Sequence, residues 1–446
     1  MSSVTPARSP VPFLRLASLD AYRGFVMLAM ASSGLAFSTV VRNHPELVSG
    51  EADGTWSGWI WRTLAYQFDH VPWGGCAFWD LIQPSFMFMV GVALPFSAAR
   101  RAADGQTAAG RWFHTLLRSF VLVALGVFLS SNGAAQTNFT YVNVLTQIGL
   151  GYPLLYLLNG RAWWVQLLAA AVVLGGYGAW FARSTVSAEE DALLRRYVTE
   201  VKKGEVAKEF DQYAGLAAHW NKHTNPAATV DRWLLNVTPR DEKKEPVWEG
   251  RSFWINGGGY QTLNFVPSLA TMIFGLMTGV LLRGDRLPGR KIAVMIFAGL
   301  ACFVVSMGLD TSIWPVKIAG CDWVVCPVVK RIWTPTWALF STGWTLWMLA
   351  AFYYVIDVRG WRAWSFPLVV VGMNSIAMYC LAQLVKGWVG QSFRTHLTTL
   401  DLMTGWSVVP TLFEGTYGPI FQQVLILFGL WLICWWMYRQ RIFVKV

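Results

Sequence analysis

Apolar runs of about 20 residues recur from one end of this 446-residue chain to the other. That length matches the hydrocarbon core of a bilayer, where each backbone N–H and C=O must be satisfied inside its own segment. The fold class that follows is an all-α polytopic membrane protein. Composition agrees. Apolar residues make up 54% of the chain and charged residues only 14%, too few charges for a water-soluble domain of this size.

Ten spans are expected, near 20–41, 76–98, 113–131, 142–158, 162–182, 263–283, 291–310, 333–356, 364–386 and 417–438. Residues 1–182 then hold five helices, and 263–446 hold five more with a basic tail. A cleaved leader at the first span fits poorly with Asp20 and Arg23 before the apolar run, so a retained span is expected, with those two residues paired at i, i+3. Residues 42–75 read as a polar loop containing Trp56, Trp59, Trp61 and Trp73, and Gly74 and Gly75 close the turn or let a ligand approach. The tryptophans suit an interfacial belt or a sugar-stacking surface. Segment 183–262 breaks the pattern with 12 Lys/Arg against 12 Asp/Glu, and reads as an extracytoplasmic insertion or lid. Its His219, Asn221, His223 and Asn225 have metal-like spacing without carboxylate support, so no metal is expected there.

Charge sets the expected orientation. With ten spans both termini share a side, and that side carries 17 Lys/Arg against four acids, while the opposite short loops carry seven against nine. The positive-inside rule makes the first side cytoplasmic, in a cell inner membrane. The net charge of +11 is thereby a matter of topology, lipid contact and anionic ligands; no nucleic acid is expected. Within the basic set, Arg15, Arg23, Arg100, Arg101, Arg118, Arg439 and Arg441 are candidates to hold a phosphorylated cofactor, although headgroup contact is the commoner role of any one arginine.

The chemically loaded stretch is Asp69–Gly91, which begins polar and turns apolar. Asp80 lies within its apolar part, where a charge costs about 2.5 kcal/mol or more unless paired or solvated. His70 is a natural general base near neutral pH, and Asp80 can orient it and stabilise its imidazolium; loop and helix capping are the plainer roles. Gly372–Ser375, G-M-N-S, puts an amide inside an apolar helix, where Asn374 can bind a carbonyl or bond a neighbouring helix. Six cysteines include no C-x-x-C; Cys321 and Cys326 are close enough in sequence for a disulfide in an oxidising compartment.

Several of these pieces together resemble the transmembrane acyltransferase family that includes heparan-α-glucosaminide N-acetyltransferase. They are R-L-A-S-L-D-A-Y-R-G at the first span, H-x-x-W-x-x-x-x-x-x-D-L-I-x-P-x-F-x-F-x-x-G from His70 to Gly91, V-I-D-V-R-G-W after the eighth, G-M-N-S-I-A-M-Y at Gly372–Tyr379 and the closing Y-R-Q-R-I-F-V-K-V. The resemblance implies transfer of acetyl from cytoplasmic acetyl-CoA to an extracytoplasmic amino sugar or glycan. It implies His70, Asp80 and Asn374 as catalytic, Asp20, Arg23 and Ser375 with the inner arginines near the cofactor, and Asp69, Trp73, Gly74 and Gly75 near the acceptor. It leaves open a covalent histidine intermediate or direct transfer, and monomer or homodimer. Segment 183–262 and N-F-V-P-S-L-A-T-M depart from the family pattern, so the acceptor is the least defined part. The short tail and the lack of a long N-terminal extension lead to the expectation of a bacterial member. Two rival readings stand beside it: a sugar or anion transporter with His70 and Asp80 as a proton relay, for which no matched pair of interrupted helices is evident in the sequence, and a scaffold that binds a partner through 183–262.

Overall fold

The structure is a computed structural model that describes residues 16–241, 245, 247–313 and 323–444. It is 72% helical, with no strand among the described residues. The first half runs α1 (Ala17–Ala31), α2 (Phe37–Asn43), α3 (Trp56–Gln67), α4 (Ile82–Ala103), α5 (Ala108–Ser130), α6 (Val144–Leu157) and α7 (Trp163–Arg183). The insertion carries α8 (Ala188–Tyr197), α9 (Val206–Phe210) and α10 (Pro226–Leu234). Then come α11 (Phe265–Arg283), α12 (Pro288–Leu309), α13 (Pro335–Phe352), α14 (Phe366–Gly372), α15 (Ser375–Leu384), α16 (Lys386–Thr404), α17 (Val408–Phe413) and α18 (Gly418–Arg439).

Among the described residues, seven helices are long and apolar enough to cross a membrane, and nine spans result if each of two bent pairs is one crossing. On length and composition the expected count of ten is therefore not confirmed. The expected span at 142–158 is α6, whose 14 residues rise only ~21 Å, short of a ~30 Å hydrocarbon core. The bent pairs are the first span, broken by 43° near Ser33, and the ninth, broken by 69° at Asn374. At the first break Gly34, Leu35 and Ala36 all have positive φ. Within 42–75, where a loop is expected, Thr55 caps α3 by accepting from the Gly58 N–H at 3.1 Å. The cap-forming threonine before a tryptophan-rich turn is the signal for that helix.

Burial separates core from rim. The spans containing α4 and α11 are each 67% buried, against 22% for α5 and 17% for α18. Glycines allow the central pair to touch. A Cβ on Gly91 would stand 2.0 Å from the Met272 carbonyl oxygen, and one on Gly275 the same distance from that of Phe88. α1 crosses α14 in the same way through Gly24 and Gly372. Helices in lipid gain no hydrophobic drive from each other, so this small-residue contact and its dispersion energy hold them together.

The insertion has its own small core of Leu194, Tyr197, Val198, Phe210 and Trp254. A second cluster ties it to the bundle, with Trp220 stacked on Phe181 of α7 at 4.6 Å. His223 bonds Glu209 at 2.8 Å, whereas His219 bonds the Ser184 carbonyl, so the two histidines serve different partners. Bonds from His223 and Lys222 hold the Glu209 carboxyl down at about 2. Burial pushes Asp231 up to about 6, against the Thr262 N–H that it accepts at 2.9 Å. Asp231 with its proton favours the folded insertion. That stability is full below about pH 4 and is lost as pH rises through 6, on the order of 3 kcal/mol in all. Asp231→Asn is therefore expected to raise protection of residues 183–262 from hydrogen exchange at pH 7.5 and to leave it little changed at pH 4.5. Equal effects at both pH values would refute the assignment.

Candidate functional site

Residues 69–77 connect α3 to the 3-10 turn Phe78–Leu81 that leads into α4. Three features fix this loop. Gly74 pairs with Val329 in an antiparallel bridge, the Gly75 N–H donates to the Val328 carbonyl at 2.8 Å, and Arg331 donates to the Val71 carbonyl at 3.2 Å. Gly75 has φ +104°, which its lack of a Cβ permits.

At the centre lies Asp80, 1% exposed, with four donors converging on it. His70 Nδ1 stands 2.7 Å from Oδ1, and the Lys330 ammonium donates to the same oxygen at 3.2 Å. The Ala77 and Val71 N–H groups donate to Oδ2 at 3.2 and 3.3 Å. A carboxylate only accepts, so Nδ1 carries the imidazole proton and Nε2 keeps its lone pair. The His70 side chain is 40% exposed. Lys330, 4% exposed, lies 3.2 Å from Nδ1. It balances the Asp80 charge, as a buried ion needs. The arrangement can accept a proton at Nε2 while a fixed anion stabilises the imidazolium.

Lys330 is a site residue that sequence reasoning misses. Its signal is the K-R pair in V-V-K-R-I-W, two cations immediately ahead of an apolar span. A distant sequence position hides the contact: Lys330 is 250 residues from Asp80.

The remaining predicted residues scatter. Asp69 accepts the His70 N–H at 2.8 Å and is exposed beside the ring. Trp73 is buried and donates to the Trp220 carbonyl at 3.1 Å, so it clamps the insertion to the loop. A Cβ on Gly74 would meet the Tyr213 hydroxyl at 1.9 Å, which makes that glycine a packing contact with the insertion. Trp56 and Trp59 stand exposed on α3, and Trp61 stacks on Tyr417 at 5.7 Å.

Asn374 is buried at the break between α14 and α15, and the structure joins it to the tail. Its amide donates to the Ile442 carbonyl and accepts the Val444 N–H, both at 3.0 Å. Ser375 begins α15, while Arg439 lies over Trp435 in the last turn of α18 and Arg441 follows that helix, so the two arginines belong with the tail. Asp20 and Arg23 lie on α1, and Arg23 donates to the Met89 carbonyl of α4 at 3.5 Å. Arg100 and Arg101 end α4, and Arg101 shares a cleft with Arg118. Arg15 and Cys321 lie outside the described residues, while Cys326 is buried. Among the described residues no group of three or more side chains is arranged to hold a metal.

No protein-family model matches this chain, and no curated protein matches it in sequence.

Proposed function

We propose that the protein is a membrane acyltransferase of the kind that includes heparan-α-glucosaminide N-acetyltransferase, moving acetyl from acetyl-CoA to the amine of an amino sugar or similar glycan on the opposite side. What supports this most is the imidazole of His70, with Nδ1 held by a buried carboxylate and a side chain 40% exposed. An ammonium is no nucleophile until deprotonated. With that first proton given to solvent, His70 Nε2 takes a second amine proton as the N–C bond forms and the C–S bond of the thioester breaks, then passes it to the departing thiolate. Asp80 stabilises the imidazolium, and Lys330 keeps Asp80 ionised and oriented. The two ends of α4 separate proton transfer from donor binding, because Asp80 at its head and Arg101 in its last turn stand ~30 Å apart along the axis. A polyanionic donor fits the arginine end, which the positive-inside rule makes cytoplasmic. In this reading α6 is a tenth, thinned crossing, and both termini are cytoplasmic. An electrophilic role for Asn374 requires the Ile442–Val444 backbone to release it.

The test is purified protein with labelled acetyl-CoA against a panel of amino sugars. Wild type is expected to acetylate at least one, and His70→Ala to lose transfer by ~10³-fold or more while eluting as the folded protein. Full transfer by His70→Ala would overturn the reading.

A second reading draws on one observation. The two bent spans pack on each other through Gly24 and Gly372, and paired discontinuous helices are a feature of secondary transporters. Counterflow of a labelled sugar in vesicles, without acyl transfer, is the result that would favour it.

A further inference from the structure

The end of the bundle opposite His70 contains a small cleft between α4, α5 and α6. Ser97 and Arg101 of α4, Arg111, His114 and Arg118 of α5 and Tyr152 of α6 line it, and the lining has no Asp or Glu. Arg118 stands ten residues into α5, ~15 Å from the start of that helix. One of its terminal nitrogens donates to the Tyr152 hydroxyl at 3.1 Å, and the guanidinium lies 4.5 Å from that ring's centre. Its Nε is buried and makes no hydrogen bond. The Arg111 guanidinium donates to the Gln106 carbonyl at 2.6 Å. Three guanidinium groups thus share one cleft whose lining, among the described residues, holds no carboxylate.

A cation with a buried, unpartnered donor is costly unless an anion meets it. A guanidinium fork with spare donors matches phosphate oxygens in geometry and charge. The flanking surface of α5 is apolar and exposed at Phe113, Leu117 and Phe120, so a ligand with an extended apolar or amphipathic part can lie against it. We propose that this cleft binds the phosphate of a phosphate ester, with Arg118 as the deep anchor and Arg101 and Arg111 at its mouth. The assignment does not need the acyl-transfer reading. The phosphate has two sources, a soluble nucleotide such as coenzyme A or the headgroup of an anionic phospholipid.

Thermal shift of detergent-purified protein separates them. The probes are coenzyme A, dephospho-coenzyme A, inorganic pyrophosphate, and phosphatidylglycerol against phosphatidylcholine. Stabilisation by coenzyme A, competed by pyrophosphate, identifies the nucleotide. Stabilisation by phosphatidylglycerol but not phosphatidylcholine identifies the lipid. In either case Arg118→Gln is expected to weaken apparent affinity at least tenfold and Arg101→Gln several-fold, while Arg290→Gln, a cation beyond the cleft lining, binds as wild type. Should Arg118→Gln fail to fold, Arg101→Gln carries the test alone. No stabilisation of wild type by any phosphate probe overturns the proposal, as does equal weakening by Arg290→Gln. His70→Ala is expected to bind unchanged, so a failed transfer assay leaves this site standing.

Discussion

Asp80→Asn is expected to lower acetyl transfer by ~10⁴-fold, the scale on which replacing the carboxylate of a histidine–carboxylate pair by its amide acts elsewhere. The physical reason is geometric. An amide offers one acceptor where Asp80 takes four donors, so His70 loses the bond that keeps its proton on Nδ1. The same change leaves the Lys330 ammonium buried without its anion, at a cost of about 3–5 kcal/mol. Lost activity alone would therefore not separate chemistry from folding. The double variant Asp80→Asn with Lys330→Met does so, because it removes both buried charges together. It is expected to regain most of the lost thermal stability and none of the activity. Recovery of transfer alongside stability would reduce the pair to a structural element.

The largest loss of stability is expected from the central helix crossing. Gly275→Val puts a branched side chain where even a Cβ stands 2.0 Å from the Phe88 carbonyl, with the Gly91 Cα at 3.2 Å. Both obstacles are backbone and cannot rotate away, so α4 and α11 must separate along the most buried seam of the bundle. The cost belongs at or above the top of the ~1–3 kcal/mol range for overpacking. Gly175→Ala on α7 is the control, since nothing lies within 4 Å of its Cβ direction. It is expected to be neutral or to stabilise by up to ~1 kcal/mol, as alanine does in a helix interior. Melting curves in detergent read both. Equal melting temperatures for Gly275→Val and wild type would show that the crossing does not hold the bundle.

Much of this architecture is legible from local pattern. Apolar runs locate nearly every long helix, and the hydrophilic block 183–262 marks the insertion, because desolvation of charged groups forbids such a segment in hydrocarbon. The count is less legible. α6 is apolar but short, and the breaks near Ser33 and Asn374 divide runs that hydropathy reads as continuous. The helix α3 is hidden because its tryptophans are equally at home in a loop at an interface.

The candidate site divides along the same line. His70 and Asp80 lie ten residues apart across one turn, close enough that the chain itself brings them within 2.7 Å, and their types name the chemistry they can do. Lys330 joins them only through the packing of the loop ahead of α13 against residues 74–75. Asn374, just as prominent in sequence, is bound by the tail instead, and the candidate arginines include a pair in the cleft, Arg101 and Arg118, and a pair at the tail, Arg439 and Arg441. Sequence by itself determined which segments can enter lipid and which side chains carry useful chemistry, because hydropathy and acid–base character belong to the residues. Only the tertiary structure decided which of those side chains share a site, because contacts across hundreds of residues depend on how helices cross, and those crossings depend on where glycine lets backbones meet.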